Sequence, residues 1–579
     1  MSTLLLSNES KFILLRYREY IIFSPTVGTT VEAFSSRSSS VFSMNSSDHS
    51  VTNLIRTATQ FLDAGHWTEA EACMKHALHA NPDNVDTLSS CGLMLLEMRK
   101  PGEALALFRR ILTMDRSLPD IWHAAGVCLQ MRGCTAAAIG YYQNAVKLRP
   151  EFAEAHSNLG TMLIKEGELC DAIEHLRWSV QIHPEIAAYR HNLGVALCKH
   201  FEYAAAIASF RNALQLDPGN ADILGSLGDT LALVNDRSAE DFLQRAVALR
   251  PDSPEKHWNL ALHLLRCGKY AEGWREYEWR WLRPENPPFA YQQPLWRGEP
   301  GQHIAGTTIF LHAEQGFGDT MQFLRYVPAV AALGAQVMLG VQRRLLRLVI
   351  EYLRQMQLPI PVFCPEDTLP PFDWHTPLMS LPLALGTTMD TVPTPIRFTP
   401  VVSNRTDRQP LRVGIVWAGN PSNKGDQERS IPIDALMPLF NIPGCLWISL
   451  QIDDTAARLR GAGISIEQPT QHDFLDTAHV IDTLDVVISV DTAVAHLAAS
   501  QGVDTWILLS FVADWRWLHP SGQIVGSGGP WYPRTRIFRQ QKLPDGRSQS
   551  ELWEPVIAEV ARALSAAAAG RDFTPGCAL

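Results

Sequence analysis

The stretch "WHAAGVCLQMRGCTAAAIGYYQNAVKLRP", Trp122 to Pro150, decides the fold of the first half of the chain. Its small residues, large residues and closing proline all return at a fixed interval. Gly92, Gly126, Gly160, Gly194 and Gly228 stand 34 residues apart. Pro150, Pro184 and Pro218 are 34 apart, Pro82 lies 68 before the first and Pro251 lies 33 after the last, with Arg116 at the vacant position. Ala70, Ala104, Ala138, Ala172 and Ala206 keep the same phase, and Ala239 follows one deletion later. Four residues beyond each alanine comes a larger one: Met74, Phe108, Tyr142, Leu176, Phe210 and Leu243. Glycine and alanine let two antiparallel helices approach closely, the larger residues fill between them, and proline stops the second helix.

This pattern resembles the tetratricopeptide repeat. It predicts six repeats over 51–254, then a weaker helix pair over "HWNLALHLLRCGKYAEGWREYEWRW", His257 to Trp281. The aromatic excess of that pair predicts a cap docked on the following domain. The whole solenoid is expected over 49–282, with a concave groove for a protein or peptide. His156, His175, His183 and His191 have no metal-ligand spacing.

The 579 residues have room for three or more globular units. Apolar residues make up 46% and charged residues 19%, a composition with enough apolar surface for several cores. The net charge of −10 excludes a general nucleic-acid binder, which needs clustered Lys and Arg against phosphate. Ten dispersed cysteines, with no C-x-x-C, predict reduced thiols and a cytoplasmic location. No apolar run reaches the ~18 residues of a membrane span. Lys11, Arg16 and Arg18 interrupt the apolar pieces near Met1, which excludes an export signal. The serine-rich "SSRSSSVFSMNSSDHS" predicts disorder over 1–48, with Met44 a candidate start of translation.

After a Pro-rich linker over 283–302, expected to lie on a surface, short β-branched runs alternate with amphipathic helices. "TTIFLHA", "AQVMLGV" and "PVFCP" are strand candidates in a block over 303–400, followed by a loop containing "DWHTPLMSLPLALG". A second linker spans 401–410. "LRVGIVWAG", "LWISLQ", "ISIEQ", "DVVISV" and "DTWILLS" are the strands of a second block over 411–566, followed by a tail over 567–579. Such alternation predicts parallel sheets in two Rossmann-like halves, with ligands at the strands' carboxyl ends.

Four stretches in these blocks have the residues for chemistry. "TIFLHAEQGFGDTMQFLRY" follows a strand with Gly316, Gly318 and Asp319. The third glycine of a dinucleotide fingerprint is absent and an acid stands where pyrophosphate would approach, which excludes an NAD site. Asp319 either caps a helix or accepts a proton at a cleft edge. "DVVISVDTAVAHLAAS" ends a buried strand at Asp491 and Thr492, opening a helix whose amides suit phosphate, with His496 one turn on; a capped and packed helix is the alternative. "VGIVWAGNPSNKGDQERSIP" places Lys424 and Arg429 in a polar loop suited to a diphosphate or merely to solvent. "ADWRWL" offers Trp515 and Trp517 for stacking and Arg516 for a phosphate, or all three for core packing.

Together "EQGFGDTMQFLRYVP", "GIVWAGNPSNKGDQERSIP" and "ISVDTAVAHLAASQG" resemble bacterial tetratricopeptide-repeat glycosyltransferases. Their catalytic part is similar to the heptosyltransferases, and the overall plan resembles protein O-linked N-acetylglucosamine transferase. The resemblance covers roughly 51–565. It implies an α solenoid followed by a GT-B pair of Rossmann-type domains that moves a sugar from a nucleotide-sugar to a hydroxyl. It implies Asp319 as catalytic base, a cleft loop at Gln315, Gly316 and Gly318, and Lys424, Arg429, Asp491, Thr492 and His496 on the donor. No metal or cofactor is implied, the nucleotide-sugar being substrate. Two departures stand out: the 303–400 half is short, and Ala493 replaces a common glycine. The alternative is a repeat scaffold whose transferase-like half is degenerate and does no chemistry.

Overall fold

The computed structural model describes residues 48–284, 291–400, 410–421, 426–451, 455–461, 463–517, 529–541 and 548–570. The expected disordered segment over 1–48 apart from Asp48, which opens a helix, Lys424, and most of the 401–410 linker and the 567–579 tail lie outside these residues. The chain divides into two compact units, one ending at Thr230 and the other beginning at Leu231.

The first unit is an α solenoid of antiparallel helix pairs. First helices begin at Val85, Pro119, Ala153, Ala187 and Ala221, each 34 residues after the last. The glycine ladder explains this close packing. A Cβ on Gly92 would lie 2.6 Å from the Phe108 ring, on Gly126 2.7 Å from Tyr142, on Gly160 2.5 Å from Leu176 and on Gly194 2.5 Å from Phe210. The large residue of each second helix thus fills the space that the missing side chain leaves, and Phe108, Tyr142, Leu176 and Phe210 are all buried.

The proline positions do more than end helices. Their carbonyls accept hydrogen bonds from the next first helix: Trp122 Nε1 donates to Arg116 O at 2.9 Å and Arg190 Nε to Pro184 O at 3.0 Å. His156 Nε2 meets Pro150 O at 2.9 Å in the same way, six residues back. A side chain therefore satisfies an orphan carbonyl at each of these turns.

The second unit contains the aromatic helix pair Pro254–Arg266 and Tyr270–Tyr277, a 3₁₀ turn Glu278–Leu282, and two parallel sheets. The first sheet holds β1 (Thr308–His312), β2 (Gln336–Gly340), β3 (Val362–Phe363) and β4 (Trp374–Pro377) in the order β3-β2-β1-β4. The second holds β5 (Leu411–Val416), β6 (Cys445–Ser449), β7 (Ile466–Glu467), β8 (Val486–Val490), β9 (Asp504–Leu509) and β10 (Thr535–Arg539) in the order β10-β9-β8-β5-β6-β7. Counted within the second sheet, this is the doubly wound order 3-2-1-4-5-6, whose direction reverses between β5 and β8. Strand β8 is buried along its whole length, as a strand covered on both faces must be.

Three stretches differ from expectation. Strand β4 lies in the stretch expected as a loop. Its pairing with β1, from Ile309↔Trp374 to His312↔Pro377, makes a strand of four residues that end in proline, too short a run to signal one although Trp374 and Thr376 favour strand. Strand β10 pairs with β9 within "PRTRIFRQ", Pro533 to Gln540, a segment not among the strands expected of the second block. Part of the expected surface linker also belongs to the sheet: Leu295 bridges to His375, Trp296 N donates to His375 O at 3.0 Å, and Trp296 is buried.

The aromatic helix pair packs into this unit. Trp274 meets Phe323 and Trp515 edge-on at 6.0 and 5.3 Å, and Trp531 Nε1 donates to Tyr270 Oη at 2.7 Å.

Candidate functional site

Loops at the carboxyl ends of β1, β2, β5, β6, β8 and β9 open onto one cleft of about 1020 Å³. The loops after β5 and β8 flank the point where strand order reverses, the expected ligand position in an open parallel sheet. Asp319, Arg429, Asp491, Thr492, His496 and Arg516, far apart in sequence, all line it. Gln315, Gly316 and Gly318 line it too.

Asp319 is the third residue of the helix Phe317–Phe323. Its Oδ2 accepts the Gly316 N–H at 2.9 Å, closing the turn, and its Oδ1 accepts from Arg516 Nη2. Burial pushes its pKa up, Arg516 pulls it down and Asp514 pushes it up again; the net direction is up. The helix-capping reading of Asp319 holds: the carboxylate braces the helix start, and the residue also lines the cleft. Gln315 turns away, its Nε2 donating to Tyr277 Oη at 3.3 Å, while its carbonyl accepts from Gln342 Nε2 at 2.8 Å. Gly318 has no room for a side chain, since a Cβ would lie 2.7 Å from His496 Cδ2.

Thr492 occupies the N-cap of the helix Ala493–Gln501 in extended conformation, but its hydroxyl makes no cap. It lies 3.1 Å from Ser489 Oγ instead. The first turn of the helix, Ala493 and Val494, thus faces the cleft without a side-chain cap. Asp491 does not cap the helix either. Burial first, then the neighbouring Asp514, raises its pKa. His496 is buried, its Nδ1 3.1 Å from Tyr532 Oη and its ring tilted against Trp517 at 5.2 Å, and burial lowers its pKa to about 3. It is a neutral imidazole at physiological pH and brings no positive charge to an anion.

Arg429 spans the reversal point: Nε donates to Asp426 Oδ1 at 2.9 Å and Nη1 to the Asp491 carbonyl at 3.1 Å. A Cβ on Gly419 would collide with both Asp426 and Arg429, so the glycine makes room for this bridge. Arg516 differs from its expected place on a phosphate. Its guanidinium donates to Asp319, to Asp514 Oδ1 at 2.8 Å and to Gln322 Oε1 at 3.1 Å, and it stacks on Trp515 at 4.4 Å. Of the two roles offered for Trp515 and Trp517, the structure has core packing: both are buried among Trp274, Trp531, His496 and Tyr532.

The sequence reading missed Arg344. It follows β2, is exposed, and lines the cleft. Its neighbours Arg343 and Arg347 pair with Glu366 and with Asp473 and Asp476, whereas no described residue pairs with Arg344. Its position in an amphipathic helix start, "QRRLLRL", hid it; an arginine four residues past a carboxyl strand end is the signal that was available. Among the described residues, no group of His, Cys, Asp and Glu is placed to hold a metal ion.

Tetratricopeptide-repeat models match residues 55–119, 132–185 and 187–220. The repeats are tetratricopeptide repeats. Protein FlbA of Caulobacter vibrioides is 25% identical over 532 residues, 86% of this chain and 74% of its own. Among solved structures, YrrB, a tetratricopeptide-repeat protein with an unusual peptide-binding site, is 22% identical over 32% of this chain and 95% of its own, with a TM-score of 0.28. The pilF protein of Pseudomonas aeruginosa is 20% identical over 36% of this chain and 96% of its own, with a TM-score of 0.33. The tetratricopeptide array supplies a protein-interaction scaffold, and no described helix is long and apolar enough to cross a membrane.

Proposed function

We propose that the cleft is the active site of a glycosyltransferase with a GT-B pair of Rossmann-type domains. It moves a sugar from a nucleotide-sugar to a hydroxyl on a protein or peptide held by the tetratricopeptide repeats, in the cytoplasm. One observation carries this reading: a half-enclosed carboxylate, Asp319, and an uncapped helix start, Thr492 to Val494, face the same cleft at the ends of two parallel sheets. A helix start of this kind favours the phosphates of a donor. The raised pKa of Asp319 suits a proton acceptor.

In the proposed step the acceptor oxygen bonds to the anomeric carbon and its proton passes to Asp319. The bond from that carbon to the phosphate oxygen breaks. The departing phosphate is met by the amides of Ala493 and Val494 and by Arg429, with Lys424 assigned the same task from its sequence position. Arg516 holds Asp319 in place. Asp491 lies beside this start and is assigned to the donor's hydroxyls.

A second reading keeps the scaffold and drops the chemistry. It is favoured by the Arg516–Asp319 pair, which would also serve as a structural tie. Calorimetry with UDP-, GDP-, ADP- and CMP-sugars separates the two. The transferase reading expects one donor to bind, and Asp319→Asn to lower its turnover at least about 100-fold with affinity within about threefold. No binding by any donor, or unchanged turnover in the variant, leaves the scaffold.

A further inference from the structure

The aromatic helix pair ends in a buried ionic cluster that touches the cleft loop. Arg280 is fully buried. Its guanidinium donates to Glu314 through Nε and Nη2 at 3.2 Å, to Glu278 Oε1 at 2.7 Å, to Ser380 Oγ at 2.7 Å and to the Tyr277 carbonyl at 3.1 Å. It lies 4.6 Å over the Tyr277 ring and 4.3 Å over Trp281. Such a cluster is poor stabilisation, because desolvating its charges offsets most of their attraction. Its value lies in geometry: a planar fork fixes a carboxylate in position and in orientation.

The carboxylate it fixes belongs to the loop that leads to Asp319. Glu314 is tied to Arg280, the Gln315 side chain to Tyr277, and the Gly316 N–H to Asp319. A second route runs from the same helices: Trp274 packs edge-on against Trp515, on which Arg516 stacks, and Arg516 holds the other oxygen of Asp319. Both oxygens of Asp319 are thus placed by groups that the last helix pair supports.

We propose that Arg280 is a positioning residue for the cleft, setting the Glu314–Gly316 segment and through it the carboxylate of Asp319. The aromatic helix pair is therefore part of the catalytic machinery and not only the end of a binding array. This inference rests on the transferase reading for its effect on rate, though not for its effect on the loop.

The test uses the full chain with Arg280→Met, Glu314→Ala and Glu314→Gln. Glutamine keeps an oxygen for the Arg280 fork, whereas alanine removes it. Hydrogen exchange of peptides covering 313–323 is expected to quicken at least tenfold in Arg280→Met and Glu314→Ala and to stay within threefold of the parent in Glu314→Gln. Amides of β2 and β8 serve as the reference and are expected to keep their protection. With a donor that the parent turns over, kcat falls at least tenfold in the first two variants while the donor KM stays within threefold. Loop exchange unchanged in Glu314→Ala, or equal acceleration at β2 and β8, overturns the positioning role. A parent protein that turns over no donor refutes the transferase reading, and the exchange measurement then decides the positioning role alone.

Discussion

Glu314 makes the residue-scale physics measurable. Burial pushes its carboxyl up to about 7 even though Arg280 opposes the shift. Below the ordinary carboxylic value of 4.5 the group is protonated in both folded and unfolded chains and has no effect on the balance. Between 4.5 and about 7 the unfolded chain ionises first while the folded chain keeps its proton, so stability falls as pH rises. Above that window both are ionised and the penalty is complete. It amounts to an upper value of about 3 kcal/mol at ~1.4 kcal/mol per pKa unit. Glu314→Gln has no proton to lose. Its melting temperature relative to the parent is therefore expected to rise by a few degrees between pH 5 and pH 8, at ~2–4 °C per kcal/mol. A constant difference across that range would show that Glu314 ionises at an ordinary pH. His496 cancels in this comparison: its depressed pKa costs parent and variant equally as pH falls through 6.5, where only the unfolded chain takes up the proton.

Helix pairs and strands show which parts of the fold can be read from sequence. The 34-residue period was legible because each glycine faces one large side chain across a fixed interface, so the pattern records a repeated contact. That account separates two glycines that look alike in the sequence. Gly126→Ala places a Cβ 2.7 Å from Tyr142 and is expected to cost about 1–3 kcal/mol. Gly140, in the facing helix Thr135–Leu148, has nothing within 4 Å of an added Cβ, and Gly140→Ala is expected to stabilise by about 0.5–1 kcal/mol. Circular dichroism melts of the two variants check the opposite signs. Strands β5, β6, β8 and β9 were equally legible, as short and largely buried apolar runs. Strand β4 was not, because "WHTP" is only four residues long and ends in proline, and its pairing with β1 makes it a strand. At the site, the positions of Asp319, Asp491 and Thr492 followed from strand ends and turn residues. The commitment of Arg516 to Asp319 did not, because those two residues are 197 apart in the chain and meet only through the fold.

For the whole molecule, the division at Thr230 and Leu231 has a thermodynamic consequence. Ligands that bind one compact unit stabilise that unit, by RT ln(1 + [L]/Kd), or about 2.7 kcal/mol at a hundredfold excess over Kd. The cleft is built wholly from residues of the second unit, numbered between Gln315 and Arg516. The glycine ladder at Gly92, Gly126, Gly160 and Gly194 belongs wholly to the first. Scanning calorimetry of the full chain is therefore expected to resolve two transitions with separate controls. Gly126→Ala should lower one of them and leave the other in place. A saturating nucleotide-sugar, chosen by the donor panel, should raise only the other, and Arg344→Ala should shrink that rise by weakening the exposed cationic wall of the cleft. A single transition shifted by both the glycine variant and the donor would mean that the units melt as one cooperative body. The repeat array would then report donor occupancy directly, and acceptor binding and donor binding would have to be linked in free energy.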